Sequence, residues 1–152
     1  MLALLQHTDQ LAQLRAEPAL LRPAVEELLR YAGPLETASE RYAWEDVTVA
    51  GVTIPRGEQV FAAVASANRD GRQFPDPDRL DITRENIEQF AFGHGVHTCL
   101  GAPLARLLAG VGVNALVQRL PGLRLAADAL ESRKHFILHG VQALPVRFRP
   151  AP

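Results

Sequence analysis

The chain has 152 residues, with 16 Lys and Arg against 17 Asp and Glu, a formal net charge of −1, 47% hydrophobic and 22% charged residues. That balance argues against a nucleic-acid footprint or a polybasic membrane anchor. It is ordinary globular composition, in a chain long enough to bury about 70% of its unfolded surface. The single cysteine, Cys99, excludes an internal disulfide and fits a reducing, cytoplasmic compartment. No basic flank precedes the apolar run at residues 2–5, so it does not read as a secretory signal. The most apolar later stretch, from Leu100 to Val117, is interrupted by Arg106 and falls short of the ~20 residues of a membrane helix.

Residues 1–6 read as the tail of a helix. Thr8 is placed to cap a second one, with Asp9 acidic in its first turn and Leu11 and Leu14 at helical spacing, and Pro18 ends it. Pro23 suits the first turn of a third helix, where its missing N–H costs nothing. Val25, Leu28 and Leu29 give that helix one apolar face, and Gly33-Pro34 stops it. Glu27 and Arg30 lie three residues apart on the opposite face. Taken alone they predict a solvated ion pair worth about 0.3 kcal/mol.

Between Val47 and Val64 the period changes. Runs at 47–49, 52–54 and 59–61 are separated by Ala50-Gly51 and Pro55-Arg56-Gly57-Glu58, which predicts a small, mostly antiparallel sheet. Arg41 precedes it, by itself a surface charge. The polar stretch from Asn68 to Asp81 reads as an irregular meander, with Phe74 and Phe90 as its apolar anchors. Leu104, Leu107, Leu108, Val111, Ala115 and Leu116 follow helical spacing up to Pro121-Gly122. Segments 123–125, 136–141 and 144–148 alternate as short strands. No repeat or linker divides the chain, which predicts one α+β unit, mainly α, over 1–152.

The stretch that carries chemistry is Phe92-Gly93-His94-Gly95-Val96-His97-Thr98-Cys99-Leu100-Gly101. Its cysteine stands at the start of the long helical pattern. There, unpaired backbone N–H groups and the positive end of the helix dipole favour an anionic sulfur. The glycines let the backbone turn tightly against something flat or bulky. A buried, inert thiol is the bland alternative. A structural zinc site wants about four ligands, and only His94 and His97 lie near. A nucleophilic cysteine needs a histidine base, for which His97 is poorly placed. A haem iron needs one proximal protein ligand, and a thiolate is one of the known choices.

The same ten residues, continued by Ala102-Pro103-Leu104-Ala105-Arg106, resemble the haem-binding loop of the cytochrome P450 family in its bacterial, soluble form. The resemblance runs along the whole chain and implies the C-terminal, proximal portion of that fold. The oxygen-activating helix and the distal half would lie before residue 1, and residues 1–6 would be that helix's last turns. It implies haem b, with Cys99 as the axial ligand that pushes electron density through the iron and favours O–O cleavage. Phe92, Gly93, Leu100 and Gly101 would pack around the ligand, and backbone N–H groups of Leu100 and Gly101 would tune the sulfur. Arg41 and His97 match the family's propionate partners, a role for which a guanidinium is well shaped. Glu27 and Arg30 match its Glu-x-x-Arg pair, completed by Arg79 from the meander in a structural role.

Two segments, Leu35 to Ser39 and Phe136 to His139, match pocket-lining stretches, so Leu35, Phe136, Ile137 and Leu138 are expected to line a substrate site. Gln89-Phe90 depart from the histidine and leucine often found there, although Gln89 keeps a polar donor. The implied activity is insertion of one oxygen atom from O2 into a small or medium apolar substrate. Electrons would come from a ferredoxin-type donor with its reductase, because the sequence carries no flavin fingerprint. Two other readings stand beside this one. The first is a truncated, non-catalytic fragment that binds haem weakly or not at all. The second is an ordinary α+β binding module with a buried thiol. If the distal half is absent, leucine-rich faces are left open to water.

Overall fold

Short helices built from the leucine-rich first third of the chain form the floor of the structure. The computed structural model describes residues 1–133, 135 and 137–150. Helix α1 spans Leu2–Gln6 and α2 spans Thr8–Ala16. A 3₁₀ turn over Pro18–Leu20 leads into α3, Leu21–Ala32. Thr8 begins α2 instead of capping it. His7 holds the cap position, and no side chain bonds the free N–H groups there. Gly33 closes α3, where a side chain would collide with the Leu29 carbonyl.

The polar face of α3 is covered, against the simplest expectation, while Val25 on its apolar face is buried as expected. Glu27 and Arg30 are 0% and 2% exposed, whereas Leu28 and Leu29 are only half-buried and line an open cavity of 730 Å³. Periodicity identifies which face is apolar but not which face is covered. Here the chain from Asn68 to Arg84 lies over the polar face, supplying carbonyl oxygens and a second arginine (described below). Within that segment Phe74 is buried as expected. Phe90 is not an anchor: it is exposed, with its ring edge-on to His94. Leu80 and Ile82 take its place in the core. Arg72 donates from its backbone and guanidinium to the Asp70 carboxylate, and this hydrogen bonding pulls that carboxyl down to about 2.

Helix α4 is a single turn, Val64–Ala67, and α5 is the long helix, Ala102–Arg119. Leu4, Leu11, Leu14, Val113 and Val117 join Leu80 and Ile82 in one core between α1, α2 and α5. Arg15 of α2 ties down the end of α5, donating from Nε to the Val117 carbonyl (2.9 Å) and from Nη2 to that of Leu120 (3.0 Å). A cation there meets both the unpaired carbonyls and the negative end of the dipole.

The strands form three separate two-stranded antiparallel ladders among the described residues, not one sheet. β2 (Val47–Val49) and β3 (Val52–Ile54) make a hairpin closed by Ala50 and Gly51, both at positive φ (49° and 83°), as a primed turn requires. The turn at Pro55–Glu58 then sends β4 (Gln59–Val60) back onto β1 (Arg41–Tyr42). In the tail, β5 (Arg124–Leu125) pairs with β6 (Val146–Arg147), and isolated bridges join Leu35 to Leu138 and Ser132 to Val141.

Helix α5 is apolar on more than its inner side. Leu104, Leu107, Leu108 and Val111 recur at helical spacing and are 60% to 63% exposed. Single exposed leucines are normal, but four on one stripe form a patch that water solvates poorly. The chain is expected to self-associate. Light scattering should show an average mass that rises with concentration and falls back when Leu104 and Leu108 are both replaced by glutamate. A concentration-independent monomer would contradict this.

Candidate functional site

The loop before α5 is closed by its own backbone. The Cys99 N–H donates to the Phe92 carbonyl at 2.8 Å, and Gly93 donates to Phe90 at 2.9 Å. Gly93 and Gly95 both sit at positive φ (71° and 74°), where a side chain would be strained. A 3₁₀ turn over Gly95–His97 follows, and Thr98 secures it by donating from N and Oγ1 to the Gly95 carbonyl. The Cys99 carbonyl then accepts the first N–H of α5, from Ala102 at 3.1 Å. The result is a tight loop that ends at the N-terminus of the long helix.

Cys99 is free and exposed, not a small hydrophobe in a core. Its near neighbour Gly101 lies where an added Cβ would be 3.8 Å from the sulfur. Val96 and Leu100 on either side are 97% and 98% exposed. An open thiol flanked by uncovered aliphatic side chains fits the chemistry of a haem face. The sulfur can ligate a metal, and the hydrocarbon can lie against a macrocycle. His97 and Arg41 are both exposed, and among the described residues neither forms an ion pair with a carboxylate. Arg41 instead donates from Nη1 to the Ser39 hydroxyl (2.8 Å) and carbonyl (3.2 Å).

The buried charge cluster lies under α3. Arg30 makes a bidentate pair with Glu27, Nε to Oε2 at 2.7 Å and Nη2 to Oε1 at 2.8 Å. Its remaining N–H groups donate to the carbonyls of Asn68 (2.9 Å), Pro77 (2.9 Å) and Arg79 (3.3 Å). The second arginine to reach Glu27 is Arg84, at 3.3 Å and largely buried. This corrects the expectation for Arg79, whose side chain is exposed and whose contribution is a backbone carbonyl. The meander turns at Asp76 and Arg79, so the guanidinium directed inward is the one five residues later in the chain. No local spacing signal singles out Arg84.

The segments expected to line a substrate site are tied together. Besides the Leu35–Leu138 bridge, Glu36 N–H donates to the Ile137 carbonyl (3.1 Å) and His139 N–H to that of Pro34 (2.6 Å). Leu35 is half-buried and shares the 730 Å³ cavity with Leu29 and Val113. Phe136 lies outside the described residues.

A further cluster escaped the sequence reading. Arg106 of α5 donates to both oxygens of Glu26 on α3 (2.6 and 3.1 Å), and its guanidinium carbon sits 4.6 Å from the centre of the Phe92 ring. Gln89 donates to the same carboxylate at 3.1 Å while its own oxygen accepts the Ala91 N–H at 2.6 Å. Burial works against ionisation of Glu26, but the hydrogen bonds from Arg106 and Gln89 and the arginine charges outweigh it, and its carboxyl is held below the usual range.

Comparison with known proteins agrees with this geometry. The family model described as cytochrome P450 matches residues 6–123. The chain belongs to the cytochrome P450 family. It is 50% identical to cytochrome P450 107B1 of Saccharopolyspora erythraea over 148 residues, which is 96% of this chain and 36% of that protein. It is 48% identical to the cytochrome P450 monooxygenase PikC of Streptomyces venezuelae, covering 98% of this chain and 36% of PikC. The crystal structure of P450BioI, in complex with hexadec-9Z-enoic acid ligated acyl carrier protein, superposes with a TM-score of 0.93 at 47% identity over 97% of this chain and 38% of that one. The chain thus spans about a third of the length of these relatives, and its fold is part of the cytochrome P450 fold. P450 enzymes of this family are monooxygenases that use haem b. No helix among the described residues is long and apolar enough to cross a membrane.

Proposed function

We propose that this chain supplies the haem-thiolate side of a cytochrome P450 monooxygenase, with Cys99 as the axial ligand. The observation that carries the reading is the exposed thiol at the mouth of a loop closed by the Cys99–Phe92 backbone bond, at the start of an 18-residue helix. When bound, haem b supplies the chemistry of oxygen activation, and the thiolate donates electron density toward it. The chain's own residues hold and orient. Gly93 and Gly95 bend the loop so that Cys99 is presented outward, and Val96 and Leu100 offer hydrocarbon to the macrocycle. Arg41 and His97, exposed and free of carboxylate partners among the described residues, would donate to its propionates. Leu35, Ile137 and Leu138, joined by backbone bonds, would form an apolar wall for a small or medium substrate, and Phe136 is proposed with them from the sequence. Glu27, Arg30 and Arg84 keep the floor under α3 rigid and take no chemical part. Delivery of electrons by a ferredoxin-type donor with its reductase, and a cytoplasmic setting, belong to the same proposal.

Haem titration of the purified chain tests it. The expected result is uptake of one haem per chain and a reduced carbon-monoxide complex at the red-shifted Soret position of thiolate ligation. The uncovered stripe on α5 favours a second reading, in which this polypeptide alone holds haem weakly or not at all. Failure to take up haem would select that reading.

A further inference from the structure

We infer that Arg106, clamped by Glu26, is a positioning residue that fixes the Cys99 loop through Phe92. The inference rests on Cys99 being the haem ligand for its consequence, but not for its geometry. Phe92 is held on three sides. Its ring lies against the Arg106 guanidinium at 4.6 Å, its carbonyl accepts the Cys99 N–H at 2.8 Å, and the preceding residue, Ala91, is bonded to Gln89 at 2.6 Å. Both side tethers end on one carboxylate. Glu26 accepts two bonds from Arg106 and one from Gln89. A planar guanidinium can satisfy a carboxylate with its edge while a ring packs on its face, which an ammonium cannot do. The ligand loop is therefore braced against α3 and α5 together. Among the described residues the thiol itself makes no hydrogen bond, so its position follows from its backbone and hence from Phe92.

Opening of the Cys99–Phe92 bond by displacement of Phe92 slides the ring off Arg106, so the contact adds to the free energy of that opening. In the chain without haem, Arg106→Ala should speed exchange of the Cys99 amide by about two- to thirtyfold, the range that a cation–π contact converts to. Arg106→Lys, which keeps the charge but not the plane, should recover only part of the protection. Glu26→Gln should act in the same direction, and the Glu26→Gln/Arg106→Ala pair should be less than additive, because the two side chains form one unit. The denaturant midpoint controls for general loss of structure and should barely move in Arg106→Lys. In chain loaded with haem, Arg106→Ala should shift part of the reduced carbon-monoxide complex to the shorter-wavelength band of a neutral thiol. Unchanged Cys99 exchange in Arg106→Ala overturns the inference. Equal protection in Arg106→Lys and wild type overturns the stacking part of it. If the wild-type chain takes up no haem yet the exchange effects appear, the positioning role stands and the haem-ligand reading fails.

Discussion

Replacing Arg30 with alanine is expected to remove most of the stability of the chain. Arg30 is 2% exposed and holds both oxygens of a carboxylate that is itself 0% exposed, while three carbonyls of the meander receive its other N–H groups. Breaking a buried pair by deleting one partner costs about 3–5 kcal/mol, and here Glu27 would keep only the longer Arg84 contact (3.3 Å) and the Asp81 N–H (3.0 Å) in low dielectric. The orphaned carbonyls add roughly 1–3 kcal/mol each where water cannot reach them. A domain of this size has about 5–15 kcal/mol in all. Arg84→Ala should cost less, about 1–3 kcal/mol. Its guanidinium approaches Glu27 at 3.3 Å, and its other contacts are to the carbonyls of three exposed residues, Pro75, Asp76 and Arg79. Arg79→Ala should stay within about 0.5 kcal/mol, since alanine retains the carbonyl that Arg79 contributes. Urea titration of the three variants gives the order, Arg30 first and Arg79 last. An Arg79 effect as large as that of Arg84 would restore Arg79 as the third member of the cluster.

That ordering separates what local sequence determines from what it does not. The shape of the loop around Cys99 was legible because its elements are contiguous: glycines at positive φ, the cysteine and the helix start lie within eleven residues that bond to one another. The β2–β3 hairpin was legible for the same reason, with its turn residues and register set by neighbours. The third arginine was not. Arg79 lies in the meander and Arg84 three residues past its end, and the turn geometry of residues 76–79 decides which one faces Glu27. The exposure of α3 was misjudged by periodicity alone for a related reason. A face carrying Glu27 and Arg30 is ordinarily the wet one, and only a distant segment with spare carbonyls makes it the dry one. Resemblance supplied the cover; composition and spacing could not. Gln89 shows the opposite case, a departure from the family pattern that carries a structural role. Its amide joins Glu26 to the Ala91 backbone, using donor and acceptor together.

The remaining large effect separates ligation from folding at one position. Cys99→Ser should abolish the red-shifted reduced carbon-monoxide band completely, because a neutral hydroxyl is a far weaker iron ligand than a thiolate. The same change should leave stability within about 0.5 kcal/mol, as for other exposed side chains away from a core. Serine keeps the N–H that bonds Phe92 and the carbonyl that receives the first N–H of α5, so the loop loses no backbone contact. Substitutions at the proposed propionate donors should behave differently. His97→Ala and Arg41→Ala each remove one charged or polar donor, which should weaken haem affinity roughly tenfold or more without moving the band. Optical titration and urea unfolding of all three variants therefore discriminate between roles. A Cys99→Ser chain that unfolds early while its haem spectrum resembles that of wild type would place the thiol in packing and the iron ligand elsewhere. The opposite pattern, an unmoved unfolding midpoint with the thiolate band gone, follows only if the loop exists to present that sulfur.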